Sequence, residues 1–155
     1  MYRGVPLSPR AGATMIVGVG MARAIAIPTA AAPACDIEGT SGDDRLGGTP
    51  AGEVICGLGG DDLIVGGGGN DTLIGGDGDD RIRAGKGDDL VIGGAGNDIL
   101  RGRNGDDQLL GGSGDDRITG GEGDDTARGS TGDDDIVGGD GADKLIGGKD
   151  DDCLL

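Results

Sequence analysis

GGAGNDILR-GRNGDDQLL-GGSGDDRIT, from Gly93 to Thr119, is one nine-residue phrase written three times, and its reading decides the fold. Extended in both directions, the phrase runs without insertion or deletion from Gly39 to Leu155, thirteen copies of G-G-x-G-x-D-x-U-x with U aliphatic. A fixed short period of this kind belongs to stacked coils, in which each repeat is one structural unit covered by its neighbours. The sixth position is acidic in every copy: Asp44, Glu53, Asp62, Asp71, Asp80, Asp89, Asp98, Asp107, Asp116, Asp125, Asp134, Asp143 and Asp152. The eighth is aliphatic in every copy, from Leu46 and Ile55 to Leu145 and Leu154, with only Ala127 small. Gly opens every repeat except the one at Ala84, and it fills the fourth position everywhere except at Ala51 and Asp150.

The pattern predicts an all-β chain, a β-solenoid of stacked 18-residue coils with two short strands per coil. Gly at the first, second and fourth positions lets the chain turn through positive φ and brings carbonyl oxygens together. The last three residues of each repeat form a strand, in which alternation sends U to one face and its neighbours to the other. Opposed U residues then make a thin aliphatic interior. Every second repeat falls in the same column, so Asp44, Asp62, Asp80, Asp98, Asp116, Asp134 and Asp152 stack in one, and Glu53, Asp71, Asp89, Asp107, Asp125 and Asp143 in the other.

Composition excludes a conventional core. The chain of 155 residues has 39 Gly, one Tyr, no Phe and no Trp, so large side chains cannot offset the entropy of ordering so flexible a backbone. The net charge is −16, and without Arg3, Arg10 and Arg23 it is 10 basic against 29 acidic residues, or −19. Low hydrophobicity at such charge keeps a chain unfolded unless something neutralises it. Nucleic acid is excluded as a partner by like charge; divalent cations are the natural one. With no His in the chain, the commonest general base and transition-metal ligand is missing, and no candidate nucleophile–base pair remains. The expected function is not enzymatic.

Coils paired as β-strands lie about 4.8 Å apart, and bare carboxylates at that distance repel by about 3.5 kcal/mol at an effective dielectric near 20. A cation between them reverses the sign. Only carboxylate and carbonyl oxygens are on offer, which suits a hard ion. Calcium takes six to eight oxygens in irregular geometry, whereas magnesium demands an octahedron and retains water. One ion per gap in each column sets an upper limit of about 11 ions. Folding and calcium binding are then expected to be a single event, with the ion-free chain close to unfolded.

These nonapeptides resemble the RTX, or hemolysin-type, calcium-binding repeats, and the resemblance covers 117 of the 155 residues. It implies a right-handed parallel β-roll, an exported protein, and sixth-position carboxylates as the side-chain ligands, completed by carbonyls of the glycine-rich turns. The repeat at Gly48, with Pro50, Ala51 and Glu53, departs from the family pattern and is expected to bind weakly or to serve as a cap. The last repeat departs too, with Asp150 in place of Gly and with Cys153.

Residues 1–34 differ in kind, with Arg3 and Arg10, no acids, then an Ala/Ile/Val-rich run ending in Ala32-Pro33-Ala34. They read as a secretory signal peptide cleaved near Ala34/Cys35. A start at Met15, an apolar region confined to Ala24–Ala34, and an uncleaved anchor remain open; a lipoprotein is disfavoured because no Leu precedes Cys35 at the usual place. The mature chain is expected to be extracellular, without a membrane span. Residues 35–38 form a cap strand, because Ile37 lies two repeat lengths before Ile55. Cys35 and Cys56 are then placed to form a disulfide, which suits an oxidising compartment; two free thiols are the alternative. Cys153 has no evident partner.

The fifth position, frequently Asp, reads as a solvated turn residue rather than a ligand. Asn70-Asp71-Thr72 fits a glycosylation sequon, but the repeat already explains it. The third position carries no Thr or Asn ladder of the kind that makes an adhesive or ice-binding surface. A secreted calcium-binding protein is the leading reading. A detached folding or spacer module of an exported enzyme or toxin is the second.

Overall fold

The computed structural model describes residues 34–155, and the leader reading therefore lies outside the described residues. Each aliphatic eighth-position side chain has to be hidden and each repeat offers only one, so the chain satisfies them by winding rather than by folding back. Fourteen strands result: β1 (Ile37–Glu38), β2 (Arg45–Gly47), β3 (Val54–Gly59), β4 (Leu63–Gly68), β5 (Thr72–Asp77), β6 (Arg81–Lys86) and β7 (Leu90–Ala95), followed by β8 (Ile99–Asn104), β9 (Gln108–Ser113), β10 (Arg117–Glu122), β11 (Thr126–Thr131), β12 (Asp135–Asp140), β13 (Lys144–Lys149) and β14 (Cys153–Leu154). Odd-numbered strands form one parallel sheet of seven, even-numbered strands the other. Register partners are 18 residues apart throughout, as in Leu73↔Val91 and Ile82↔Leu100. The chain is a parallel β-solenoid of the β-roll kind, with the coil length that the repeat predicts.

The interior is the column of eighth-position residues. Ile55, Ile64, Leu73, Ile82, Val91, Leu100, Leu109, Ile118, Ala127 and Ile136 are all buried, with Leu46 and Leu145 packed against them towards the two ends. Among the described residues no helix is long and apolar enough to cross a membrane.

The strands are longer than expected. Each of the internal ones runs six residues, from the seventh position of one repeat through the third of the next. The paired register passes over the first-position residue and resumes at the second, as in Ile74↔Ile92 followed by Gly76↔Gly94. The glycines also divide their work. Left-handed φ occurs at the second and fourth positions, whereas at the first position φ is ordinary and a β-carbon would crowd the sixth-position carboxylate, with Ala84 the one side chain found there. Leu58, Arg103, Ser130 and Asp150 hold φ of 84°, 97°, 107° and 82° where the repeat would have Gly. Each such residue costs about 1–2 kcal/mol, so the neighbouring coils, not local preference, impose the backbone there.

The N-terminal edge is closed as the spacing suggests. β1 pairs with β3 through Ile37↔Ile55, and Cys35 and Cys56 form a disulfide with Cα atoms 5.9 Å apart. Cys153 is a free, exposed thiol.

Candidate metal centre

The first, sixth and eighth positions all point inward, so each repeat carries a carboxylate beside the aliphatic core, two to a coil. Asp62, Asp71, Asp80, Asp89, Asp98, Asp107, Asp116, Asp125 and Asp134 are each only 1–2% exposed. The alternation argument did not foresee this burial. Between the sixth and eighth positions lies a single residue of strand, so both side chains fall on the same inner face.

Stacked carboxylates do not face one another bare, as the coil spacing alone suggests. The main-chain N–H of each sixth-position residue donates to Oδ1 of the carboxylate one coil further on. Asp62 donates to Asp80 at 2.8 Å, Asp80 to Asp98 at 2.9 Å and Asp98 to Asp116 at 2.8 Å. The second column repeats this from Glu53 to Asp71 and on to Asp125 and Asp143. The bonds hold one oxygen of each carboxylate and leave the other aimed into the corner of the coil.

That second oxygen is the site. Oδ2 of all nine buried aspartates is hidden from solvent and has no hydrogen-bond partner. A buried polar atom without a partner costs free energy of about 1–3 kcal/mol, more when charged, so nine in register require an explanation. Beside each lies the first-position residue. A β-carbon placed on Gly75 would collide with Oδ2 of Asp80 and lie 2.6 Å from the carbonyl oxygen of Gly93; the same construction on Gly93 brings together Asp98 and Gly111. Carboxylate and carbonyl oxygens thus converge on one small space per repeat. Among the described residues no three acidic or thiol side chains meet at a point, so any ion held here takes most of its ligands from the main chain. The donor set, all oxygen and mostly uncharged, fits a hard divalent cation.

Burial pushes these carboxyls upward from their ordinary value of 3.8, to about 7 at Asp98 and Asp107 and to about 6 at Asp80, Asp89 and Asp116. Desolvation is the main cause; the donated N–H opposes it, and neighbouring acids add to it. The ion-free roll therefore holds more protons than the unfolded chain between about pH 4 and pH 7, and it loses stability as pH rises through that window. In chelator the chain is expected to show more β-sheet circular dichroism at about pH 5 than at about pH 8. With calcium present the order reverses, because protons compete with the ion.

Two roles escaped the sequence reading. Fifth-position side chains form a second ladder running the opposite way: Oδ1 of Asp61 accepts from the N–H of Asp79, Oδ1 of Asp79 from Asn97, and Oδ1 of Asn97 from Asp115. The requirement is one acceptor oxygen, not charge, which is why Asn70 and Asn97 serve here while no amide occupies the sixth position. The visible signal was that Asp/Asn interchange. The other role belongs to Thr40 and Thr49, which stand at the second position in the first two repeats only. Thr40 donates through N and Oγ1 to Asp44 Oδ2 at 2.6 and 2.9 Å, and Thr49 donates through N and Oγ1 to the Glu53 carboxylate. They hydrogen-bond the first carboxylate of each column, beneath which no full coil is described. At the other end Asp143 and Asp152 accept from Asp125 and Asp134 but are only partly buried.

A family profile described as the RTX calcium-binding nonapeptide repeat matches residues 57–91, 84–118, 92–127 and 119–154. No curated protein matches the chain. The periodic fold, the acidic column and this match agree, and the chain belongs to the RTX calcium-binding nonapeptide repeat family, as a β-roll of calcium-binding type.

Proposed function

We propose that this chain is a secreted calcium-binding protein in which ions held between stacked turns drive folding. The observation that carries the reading is the set of nine buried, unpartnered Oδ2 atoms. Asp62, Asp71, Asp80, Asp89, Asp98, Asp107, Asp116, Asp125 and Asp134 would hold the ions in the closed coils. Asp143 and Asp152 would do so at the open end, and Asp44 and Glu53 would form the weakest sites, since Thr40 and Thr49 already engage them. A bound divalent ion supplies positive charge where desolvated carboxylates would otherwise have to take up protons. The chain's own part is to fix Oδ1 by the amide ladder, aim Oδ2 at the corner, exclude water with the aliphatic column and offer the first-position carbonyl. Occupancy tenfold above Kd contributes about 1.4 kcal/mol per site, and several sites act together. The N-terminal disulfide and the basic, apolar leader sequence support export. The absence of any candidate nucleophile–base pair supports a non-catalytic role.

The test is a calcium titration of the mature chain, followed by far-UV circular dichroism and by calorimetry. A cooperative gain of β-sheet signal at roughly 10⁻⁴–10⁻³ M calcium, with no matching gain in equal magnesium, is expected. A chain equally folded in chelator, or one that answers both ions alike, refutes the reading.

A further inference from the structure

The geometry points to the outer face of the even-numbered sheet as a docking surface for the acidic turn edge of a second copy of this chain. Charge is sorted along the repeat. Of the acidic residues, all but Asp36, Glu38 and Asp135 occupy the third to sixth positions, the strand ends and the turns that follow them. Five of the arginines, Arg45, Arg81, Arg83, Arg101 and Arg117, stand instead at outward positions of β2, β6, β8 and β10 in the even sheet, and all five are exposed. Arg83 and Arg101 are register partners in adjacent coils, and Arg81 and Arg117 flank Ile99 in the neighbouring column. Leu63, Arg81, Ile82, Arg83, Ile99 and Arg101 line a depression of about 130 Å³ between these side chains. Among the described residues the one ion pair is Arg117–Asp135 at 3.1 Å, so in a chain this acidic the other arginines on the face have no acidic partner. Parallel sheets are ordinarily covered on both faces; this one is covered on one.

The width of the arginine stripe selects the occupant. Acidic turns bound it on both sides at the ends of six-residue strands, about 16 Å apart at 3.3 Å per residue. A broad anionic surface such as a bilayer would meet those turns as well and be repelled. A narrow ridge of carboxylates would fit between them. The chain itself owns such a ridge: Asp43, Asp61 and Asp79, then Asp115 and Asp133, are exposed, stacked one coil apart, and bonded through Oδ1 alone, so each has Oδ2 left for a guanidinium. Ridge and stripe share one rise per coil because the same fold builds both, and planar guanidinium groups suit carboxylates.

Net charge decides when the contact forms. Ion-free copies repel, at −16 for the full chain, whereas loading the inner carboxylates removes most of that charge and leaves the outer ridge acidic. This step rests on the calcium reading above. A face-to-edge contact is heterologous and does not close on itself, so assembly grows with concentration.

Sedimentation velocity of the full chain at saturating calcium tests this, with circular dichroism on the same samples to confirm folding. Two ionic strengths are compared, about 0.01 M and about 1 M, where the Debye lengths are roughly 30 and 3 Å. Expected are concentration-dependent larger species at low salt that dissociate at high salt. The triple variant Arg81→Gln/Arg83→Gln/Arg101→Gln should associate roughly tenfold or more weakly, with its calcium-folding curve unchanged. A folded chain that stays monomeric at low salt overturns the proposal, and so does a triple variant that associates like its parent. A monomeric chain that captures a sulfated polysaccharide through these arginines overturns it in favour of an external polyanion. A chain still unfolded at saturating calcium overturns the calcium reading and this proposal with it.

Discussion

Replacing Asp80, Asp98 and Asp116 together with Asn is expected to move the two states of the chain in opposite directions. In each variant side chain the amide oxygen can still accept the ladder bond that Oδ1 accepts now, from Asp62, Asp80 and Asp98. What changes is the buried, unpartnered oxygen, which becomes a neutral NH₂ beside the first-position carbonyls. In chelator near neutral pH the wild-type coils must either bury charge or take up protons, with carboxyls raised to about 6, 7 and 6. Removing three such groups should stabilise the ion-free roll by several kcal/mol in order of magnitude. In calcium the same change removes about three sites, each contributing about 1.4 kcal/mol at tenfold saturation. Circular dichroism should therefore show a variant more folded than wild type in chelator and less responsive to calcium, and calorimetry should count about three fewer ions. An unaltered count, or a variant less folded in chelator, would refute the assignment of the unpartnered oxygens.

The second large effect separates two glycines that the repeat writes alike. Gly96 and Gly42 both hold the fourth position. Gly96 has φ of +130°, and a β-carbon there would fall on the carbonyl group of Gly78 in the coil beneath, with the carbonyl carbon at 2.6 Å. That neighbour is main chain, tied to the next coil by the bond its N–H donates to the Ala95 carbonyl at 2.7 Å, and cannot swing aside as a side chain would. Gly42 has nothing within 4 Å of the same construction, and its φ is not left-handed. Gly96→Ala should cost about 3 kcal/mol or more, raising the calcium needed for folding and lowering the thermal midpoint. Gly42→Ala should leave both within error of wild type. Equal responses would mean that stacking against the preceding coil is not what excludes side chains from this position. Ala51 already fits the argument: it replaces the same glycine in the second repeat, again where no coil is described beneath it.

Where the sequence reading succeeded, the property belonged to a single repeat and was copied. The nine-residue period implies the 18-residue register, the eighth-position column implies the core, and Ile37 before Ile55 implies the cap strand with its disulfide. It fell short where a property belonged to the contact between coils. Alternation placed the eighth position inside but did not show that the sixth is inside too, because in isolation a carboxylate beside an apolar column looks too costly to bury. The second-position threonines, Thr40 and Thr49, drew no notice in the repeat pattern, and only the structure shows their hydrogen bonds to the Asp44 and Glu53 carboxylates.

The sequence by itself determined the architecture, the two acidic columns and the preference for a hard cation, because periodicity and ligand chemistry survive without coordinates. Only the tertiary structure decided which oxygen of each carboxylate is left free, which glycines hold left-handed φ and which do not, and that five of the arginines share one outer face. These follow from direction and proximity between residues 18 apart, where the hydrogen bond made by one coil settles what the next coil has left to offer.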